Sequence, residues 1–296
     1  MCTVTFVPVK EGVVLTTNRD EWHTRTTAIA PATYEQNGHT LLYPTDKDGG
    51  GSWIVTNNKG DAGVLLNGAF ERHTRRANYR QSRGLILPAI LNDPEPLKCL
   101  DRYSLVDIEP FTLVLYINRR LSECRWDGEK KTFTPLPENT THIWSSVTLY
   151  DKSAAAKREQ WFDHWQKTNP VRSMGEVIGF HQNAGKTDPS NALVMDRQGK
   201  ICTVSITSVL VSQTSVNMIY YDIKNEREYK NELTLSGNKK HTGATTPNKV
   251  LLLLKTWWAR WSHWEYWPFD LVYIPVYCYW MWLSIKARSF LGSFNS

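Results

Sequence analysis

From its second residue onward the chain is written in short β-branched and apolar runs divided by turn residues, a pattern that commits it to sheet. Residues 2–8 and 12–17 are two such runs, separated by Val9-Lys10-Glu11 with Gly12 supplying the turn, and they read as an antiparallel hairpin. Residues 40–43, 52–57 and 62–67 continue in the same manner, with Asn57-Asn58-Lys59-Gly60-Asp61 as the turn of another hairpin. Strands are expected again at 111–117, 121–126, 193–195, 202–211 and 216–221. Between them, residues 81–92 read as a helix tolerating Pro88, and Asp151 caps a helix over 153–167 that sets Trp161, Phe162 and Trp165 against Lys157, Gln160 and His164. Residues 175–183 extend the helical layer. Strands, then helices, then strands make an α+β sandwich and not a βαβ alternation.

A length of 296 residues, with 41% hydrophobic and 22% charged content, excludes a wholly disordered chain and supplies a large core without covalent staples. Five cysteines, Cys2, Cys99, Cys124, Cys202 and Cys278, stand far apart with no C-x-x-C pair and no histidine cluster. Neither a disulfide framework nor a metal site is expected. The net charge of +6 is too mild to argue for nucleic acid. The first ten residues lack the basic start and apolar run of a signal peptide, so a cytoplasmic location is expected.

Removal of Met1 would leave Cys2 carrying a thiol and a free α-amine, a nucleophile and a base on one residue. An α-amine with a pKa of roughly 7.7–8.0 takes a thiol proton at neutral pH without a catalytic histidine. Taken alone, a cysteine that opens a strand is more often a packing residue. In the hairpin, however, the polar run Asn18-Arg19-Asp20-Glu21 at the end of the second strand comes back beside Cys2. There Arg19 is a candidate to stabilise a thiolate or bind an acidic group, and Asp20 to orient the amine or the thiol. The bland alternative is a salt-bridged surface turn. Lys47-Asp48-Gly49-Gly50-Gly51 allows close backbone approach to a ligand but is no phosphate loop, since no Gly-Lys-Ser/Thr follows.

Met-Cys-Thr at the start, Asn18-Arg19-Asp20-Glu21 followed by Arg25, Gly50-Gly51-Ser52-Trp53, Leu65-Leu66-Asn67, Ser82-Arg83-Gly84 and a late Ser145-Ser146 stand in the order typical of the NRDE family, the Transport and Golgi Organization 2 proteins, which the chain resembles over residues 1–235. That family is similar to the N-terminal nucleophile hydrolases, and the resemblance implies a four-layer αββα sandwich and the hydrolysis or transfer of an acyl group on a C–N amide or a thioester. Carried over by position, it implies Cys2 as nucleophile, Arg19 and Asp20 as the polar pair beside it, and Asn67 as an oxyanion donor. Asn18, Glu21 and Ser145 are the candidates for substrate contact. Where many members carry a Ser-Asn pair this chain has Ile143-Trp144-Ser145-Ser146, and Asn183 and Asn191 are the other amides considered as a second donor. No cofactor is implied, and the expected partner is a small acylated molecule. The rival from another class is a non-catalytic lipid- or haem-handling factor that keeps the pocket for binding.

Residues 236–248 read as a polar linker and 249–296 as a separate tail. The tail holds seven of the thirteen tryptophans and five cations (Lys249, Lys255, Arg260, Lys286, Arg288) against Glu265 and Asp270. Its apolar stretch is interrupted by Pro268, Asp270 and Pro275, so residues 257–288 are expected to be helical and to lie at a membrane interface on the cytoplasmic face and not to span it. The alternatives are that these aromatics cover a groove or an oligomer contact, or that the tail makes the protein a membrane scaffold.

Overall fold

The computed structural model describes residues 2–36, 38–170 and 172–236, with Cys2 through its backbone alone. The chain opens with β1 (Cys2–Val9), β2 (Gly12–Trp22), β3 (Ile29–Gln36), β4 (His39–Thr45), β5 (Ile54–Asn57) and β6 (Ala62–Asn67). A 3-10 turn at Arg83–Leu85 leads into α1 (Ile86–Leu91) and α2 (Pro96–Arg102). Then come β7 (Phe111–Ile117), β8 (Arg120–Trp126), β9 (Lys131–Leu136), β10 (His142–Ser145), α3 (Lys152–Thr168) and α4 (Met174–Asn183). The two-residue β11 (Asp196–Arg197) precedes β12 (Ile201–Ser212), β13 (Ser215–Asp222) and β14 (Arg227–Thr234).

These strands form two antiparallel sheets. The first has the order β10-β1-β2-β12-β13-β14, with β11 on β12, and the second runs β3 to β9 in chain order. Alternation along each strand separates two sets of apolar residues. Val4, Phe6 and Leu15 of the first sheet join Ile54, Val64 and Val114 of the second in one core between the sheets. On its other face the second sheet packs Leu113 and Leu115 against Ile86, Leu87 and Ile90 of α1. The far face of the first sheet sets Val7 and Val14 against Phe162 of α3 and Val177 and Phe180 of α4. Each fully buried side chain of this kind contributes about 1.5–3 kcal/mol.

Several expectations are corrected here. The first hairpin extends to Trp22, so Asn18 to Glu21 are strand residues and not a surface turn; β12, from Cys202 to Ile206, supplies the backbone pairing that local sequence does not announce. The helix expected over 81–92 is a 3-10 turn followed by α1, and Pro88 falls in the first turn of α1, where its missing N–H costs nothing. Residues 193–195 are not a strand. Of the strands left unanticipated, β3, β9, β10 and β14 are the ends of the two strand orders, and the fifth is the two-residue β11 on β12. Helix α4 starts at Met174 with a capping box in which Ser173 and Glu176 satisfy each other's backbone N–H groups. Most of the linker and the whole tail lie outside the described residues.

Candidate functional site

The register of β1 assembles the site. Cys2 pairs with Arg19 and Thr3 with Asn18 across β2, while Thr3 pairs with Ser145 across β10. The Ser146 hydroxyl donates to the backbone carbonyl of Asn67 at 2.8 Å, which brings the end of β6 to the same end of the first sheet. Cys2, Arg19, Asn67 and Ser145 are thereby collected from four strands. Ser145 is half-buried in β10, and no hydrogen bond to the Asn67 side-chain amide occurs among the described residues.

Strand alternation then divides the NRDE run. Arg19 shares the phase of Leu15 and enters the space between the sheets, whereas Asn18 and Asp20 share the phase of Val14 and enter the layer beneath the helices. Arg19 is 3% exposed. It donates to Asp46 Oδ2 at 2.6 Å, stands 3.5 Å from Glu21 Oε1 and lies 4.7 Å from the centroid of the Trp53 ring. Asp46, which sequence reading missed, is the hub of this arrangement. Its carboxylate also accepts from Arg25 at 3.0 Å and from the backbone N–H groups of Asp48 and Gly49 at 3.0 and 2.9 Å. Burial alone would raise the Asp46 pKa, but the Gly49 amide and the charges of Arg19 and Arg25 hold it below the usual carboxylate value. The glycine loop thus serves a carboxylate of the chain itself. It is pinned by Gly51, where a Cβ would lie 2.2 Å from the carbonyl carbon of Gly84, next to a Ser52 N–H to Gly84 O bond of 2.8 Å.

On the opposite face, Asp20 is fully buried and accepts from the Tyr150 hydroxyl and from Thr203 Oγ1, the latter at 2.5 Å. Burial raises its pKa, opposed by Arg158 and by the two hydroxyls. Arg158 of α3, itself fully buried, stacks 3.5 Å from the Tyr150 ring centroid. It donates to Thr3 Oγ1 at 2.5 Å and to the carbonyls of Asn191 and Ala192 at 3.0 and 2.8 Å. Asn18 is buried with both ends of its amide engaged. Its Nδ2 donates to the carbonyls of His181 and Leu193 at 3.2 and 2.8 Å, and its Oδ1 faces His181 Nδ1. That Nδ1 must carry the proton, because Oδ1 can only accept; Nε2 therefore accepts from Thr5 at 2.7 Å. Burial, reinforced by Arg158, pushes His181 down to about 3, so the ring is neutral.

Asn183 and Asn191 are spent locally: the first donates to Gly179 O at 2.6 Å at the end of α4, the second to Asp188 at 3.0 Å in a turn. A cleft at the assembled end is lined by Leu66, Asn67, Gly68, Ser145 and Ser146. A larger groove of about 400 Å³, between α3 and α4, is lined by Trp161, Trp165 and Phe180 and includes none of the residues collected around Cys2. Among the described residues there is no cluster of His, Cys, Asp or Glu able to hold a metal, and no helix long and apolar enough to cross a membrane.

The two-sheet fold is shared with solved structures of distant sequence. A C2A mutant of the conjugated bile acid hydrolase from Clostridium perfringens superposes with a TM-score of 0.52 at 10% identity, covering 84% of this chain and 100% of that one. A second variant of the same hydrolase gives 0.51 at 11% identity, again over 84% of this chain and 100% of that one. An N-acylethanolamine-hydrolyzing acid amidase ortholog from Caenorhabditis elegans gives 0.49 at 11% identity, over 71% of this chain and 92% of that one. No curated protein matches the sequence. The profile of the family described as Transport and Golgi organisation 2 matches residues 1–234. Its span takes in every strand and helix of both sheets, and the chain belongs to the Transport and Golgi organisation 2, or NRDE, family.

Proposed function

We propose that the chain is an N-terminal cysteine hydrolase acting on the C–N amide or thioester bond of a small acylated molecule. The single observation that carries this reading is the β1 register, which sets Cys2 beside Arg19 at the end of the sheet to which Asn67 and Ser145 also come. The stack of helices, sheet, sheet and helices supports it, as the αββα order expected of the N-terminal nucleophile hydrolases. So does the likeness to the bile acid hydrolase, a fold-level analogy.

In this reading the α-amine of Cys2, exposed by loss of Met1, removes the thiol proton, and the thiolate adds to the substrate carbonyl. The Asn67 amide, which has no competing bond within the described residues, donates to the developing oxyanion. Collapse breaks the C–N or C–S bond, with the amine-held proton passing to the leaving group. Water then adds to the thioester, restoring the thiol and releasing the acid. Arg19 biases position 2 toward the thiolate, its own charge being balanced by Asp46 and Glu21. Glu21 and Ser145 border the acyl substrate; Asn18 acts one layer deeper, by holding His181.

The test is turnover of a panel of acyl amides and thioesters by protein with a native N-terminus, beside Cys2→Ala. Hydrolysis that disappears in Cys2→Ala while its urea midpoint stays at the wild-type value supports the assignment. Undiminished turnover by the variant refutes it.

A further inference from the structure

The two helix–sheet interfaces of this fold do the same structural job with different chemistry. Beneath α1 the second sheet is mainly apolar, Ile86, Leu87 and Ile90 lying on Leu113 and Leu115, with Asn57 of β5 donating to the Leu91 carbonyl at 3.1 Å. Beneath α3 and α4 the first sheet is apolar only at the end of Val7 and Val14. At the Cys2 end it turns polar, with Thr3, Asn18, Asp20 and Arg158 all fully buried. Burying such groups, the Arg158 guanidinium above all, costs free energy that an apolar interface avoids, and α1 meets the second sheet without a buried arginine. The polar end also has a direction. Arg158 holds Thr3, the residue after Cys2, and underlies the Tyr150 ring, whose hydroxyl holds Asp20, the residue after Arg19. Thr203 closes the other Asp20 oxygen from β12.

We infer that Arg158 and Tyr150 are positioning residues, a two-point clamp that fixes Thr3 and Asp20 and through them the backbone pair Cys2 and Arg19. This inference rests on the reading of Cys2 as nucleophile. Their hydrogen bonds run to Thr3, Asp20, Asn191 and Ala192, beside Cys2 and Arg19 in the chain or further away. The clamp sets the pose in which one residue's amine and thiol serve each other, a geometry tolerant of little displacement because base and nucleophile share a single backbone. Arginine suits the task because its planar fork makes three directed bonds at once, to Thr3, Asn191 and Ala192, which a lysine ammonium on the same stem does not reproduce.

The experiment compares wild type, Tyr150→Phe and Arg158→Lys as full chains with a native N-terminus. Each is exposed briefly to limiting iodoacetamide at neutral pH, and each cysteine's alkylation is read by peptide mass. Tyr150→Phe keeps the ring under Arg158 and removes only the hydroxyl on Asp20; Arg158→Lys keeps the charge and removes the fork. The expected result is an alkylation rate at Cys2 at least fivefold below wild type in both variants, with Cys99, Cys124 and Cys202 unchanged. A general loosening acts with the opposite sign, since it exposes the buried Cys124 and the half-buried Cys99 and Cys202. Faster labelling of those three with Cys2 unaltered marks a structural role and overturns the clamp. So does a Cys2 rate equal to wild type in both variants. If Cys2 of the wild type reacts no faster than the other three, the nucleophile reading itself fails, and the clamp with it.

Discussion

The neutral, buried His181 makes the stability of this protein fall as the pH drops below about 6.5. In the unfolded chain a histidine takes up its proton near pH 6.5, whereas burial and Arg158 hold the folded value at about 3. Between those two values the unfolded state binds the additional proton, so stability decreases as pH falls. At pH 5 the single-site expression gives a loss of about 2 kcal/mol relative to pH 7.5, at about 1.36 kcal/mol per pH unit below 6.5. Asp20 acts in the other direction: its raised folded pKa makes the native state the better proton binder as pH falls toward it. The two are separated by His181→Gln, whose amide keeps a donor and an acceptor for Asn18 and Thr5 without a titrating ring. Urea unfolding of both proteins at pH 7.5, 6.5, 5.8 and 5.0 is the assay. The wild-type curve should lose about 2 kcal/mol relative to the variant's over this range. Parallel curves would refute the claim that the ring is buried without its charge.

Asp46→Asn should cost about 2–3 kcal/mol at pH 7, below the range for breaking a fully buried pair because the Asp46 side chain is 18% exposed, whereas Arg25→Gln, at a side chain 35% exposed, should cost under about 1 kcal/mol. Equal losses in the two, measured by urea unfolding, would show that Arg19 does not depend on this carboxylate. Since the Asp46 pKa is depressed in the fold, its contribution is present above about pH 4 and is lost on further acidification. Gly51→Ala drives a Cβ into the Gly84 backbone and should destabilise by about 2 kcal/mol or more, read as a fall in urea midpoint, or separate Ser52 from Gly84, read as faster amide exchange at Ser52. One extra residue left ahead of Cys2 should abolish hydrolysis, because the α-amine is then displaced; normal turnover by such a protein would exclude the amine as base.

What could be read from the sequence follows the range of the interactions concerned. The approach of Arg19 to Cys2 is a property of a local hairpin, and the runs of apolar residues found the interior strands. The four edge strands escaped because an edge carries polar side chains and no continuous apolar run, as Arg227 to Thr234 illustrates. Asp20 was legible as a residue near Cys2 but not as one turned away from Arg19, since that depends on β2 continuing past residue 17 against a strand some 180 positions later. Arg158 left a signal that went unused. It sits midway between Ala154 and Phe162 at four-residue spacing, on the buried stripe of α3, where a solvated arginine has no reason to be. His181, four residues after Val177 on α4, left the same one. The service of the glycine loop to Asp46 had no local sign, for the arginines that make the carboxylate a hub come from another sheet and the loop after it.

The order of the first sheet also sets a clock. Strand β1 lies between β2 and β10, and β2 is closed on its other side by β12, so the N-terminal hairpin finds its last sheet partner only when residues 201–212 exist. At synthesis rates of about 5–20 residues per second, that interval is roughly 10–40 s. Strand β1 itself gains its second neighbour earlier, when residues 142–145 exist, roughly 7–30 s into synthesis at the same rate. Under the reading proposed above, loss of Met1, which makes the enzyme's base, belongs to that earlier interval, before β1 is sealed between β2 and β10.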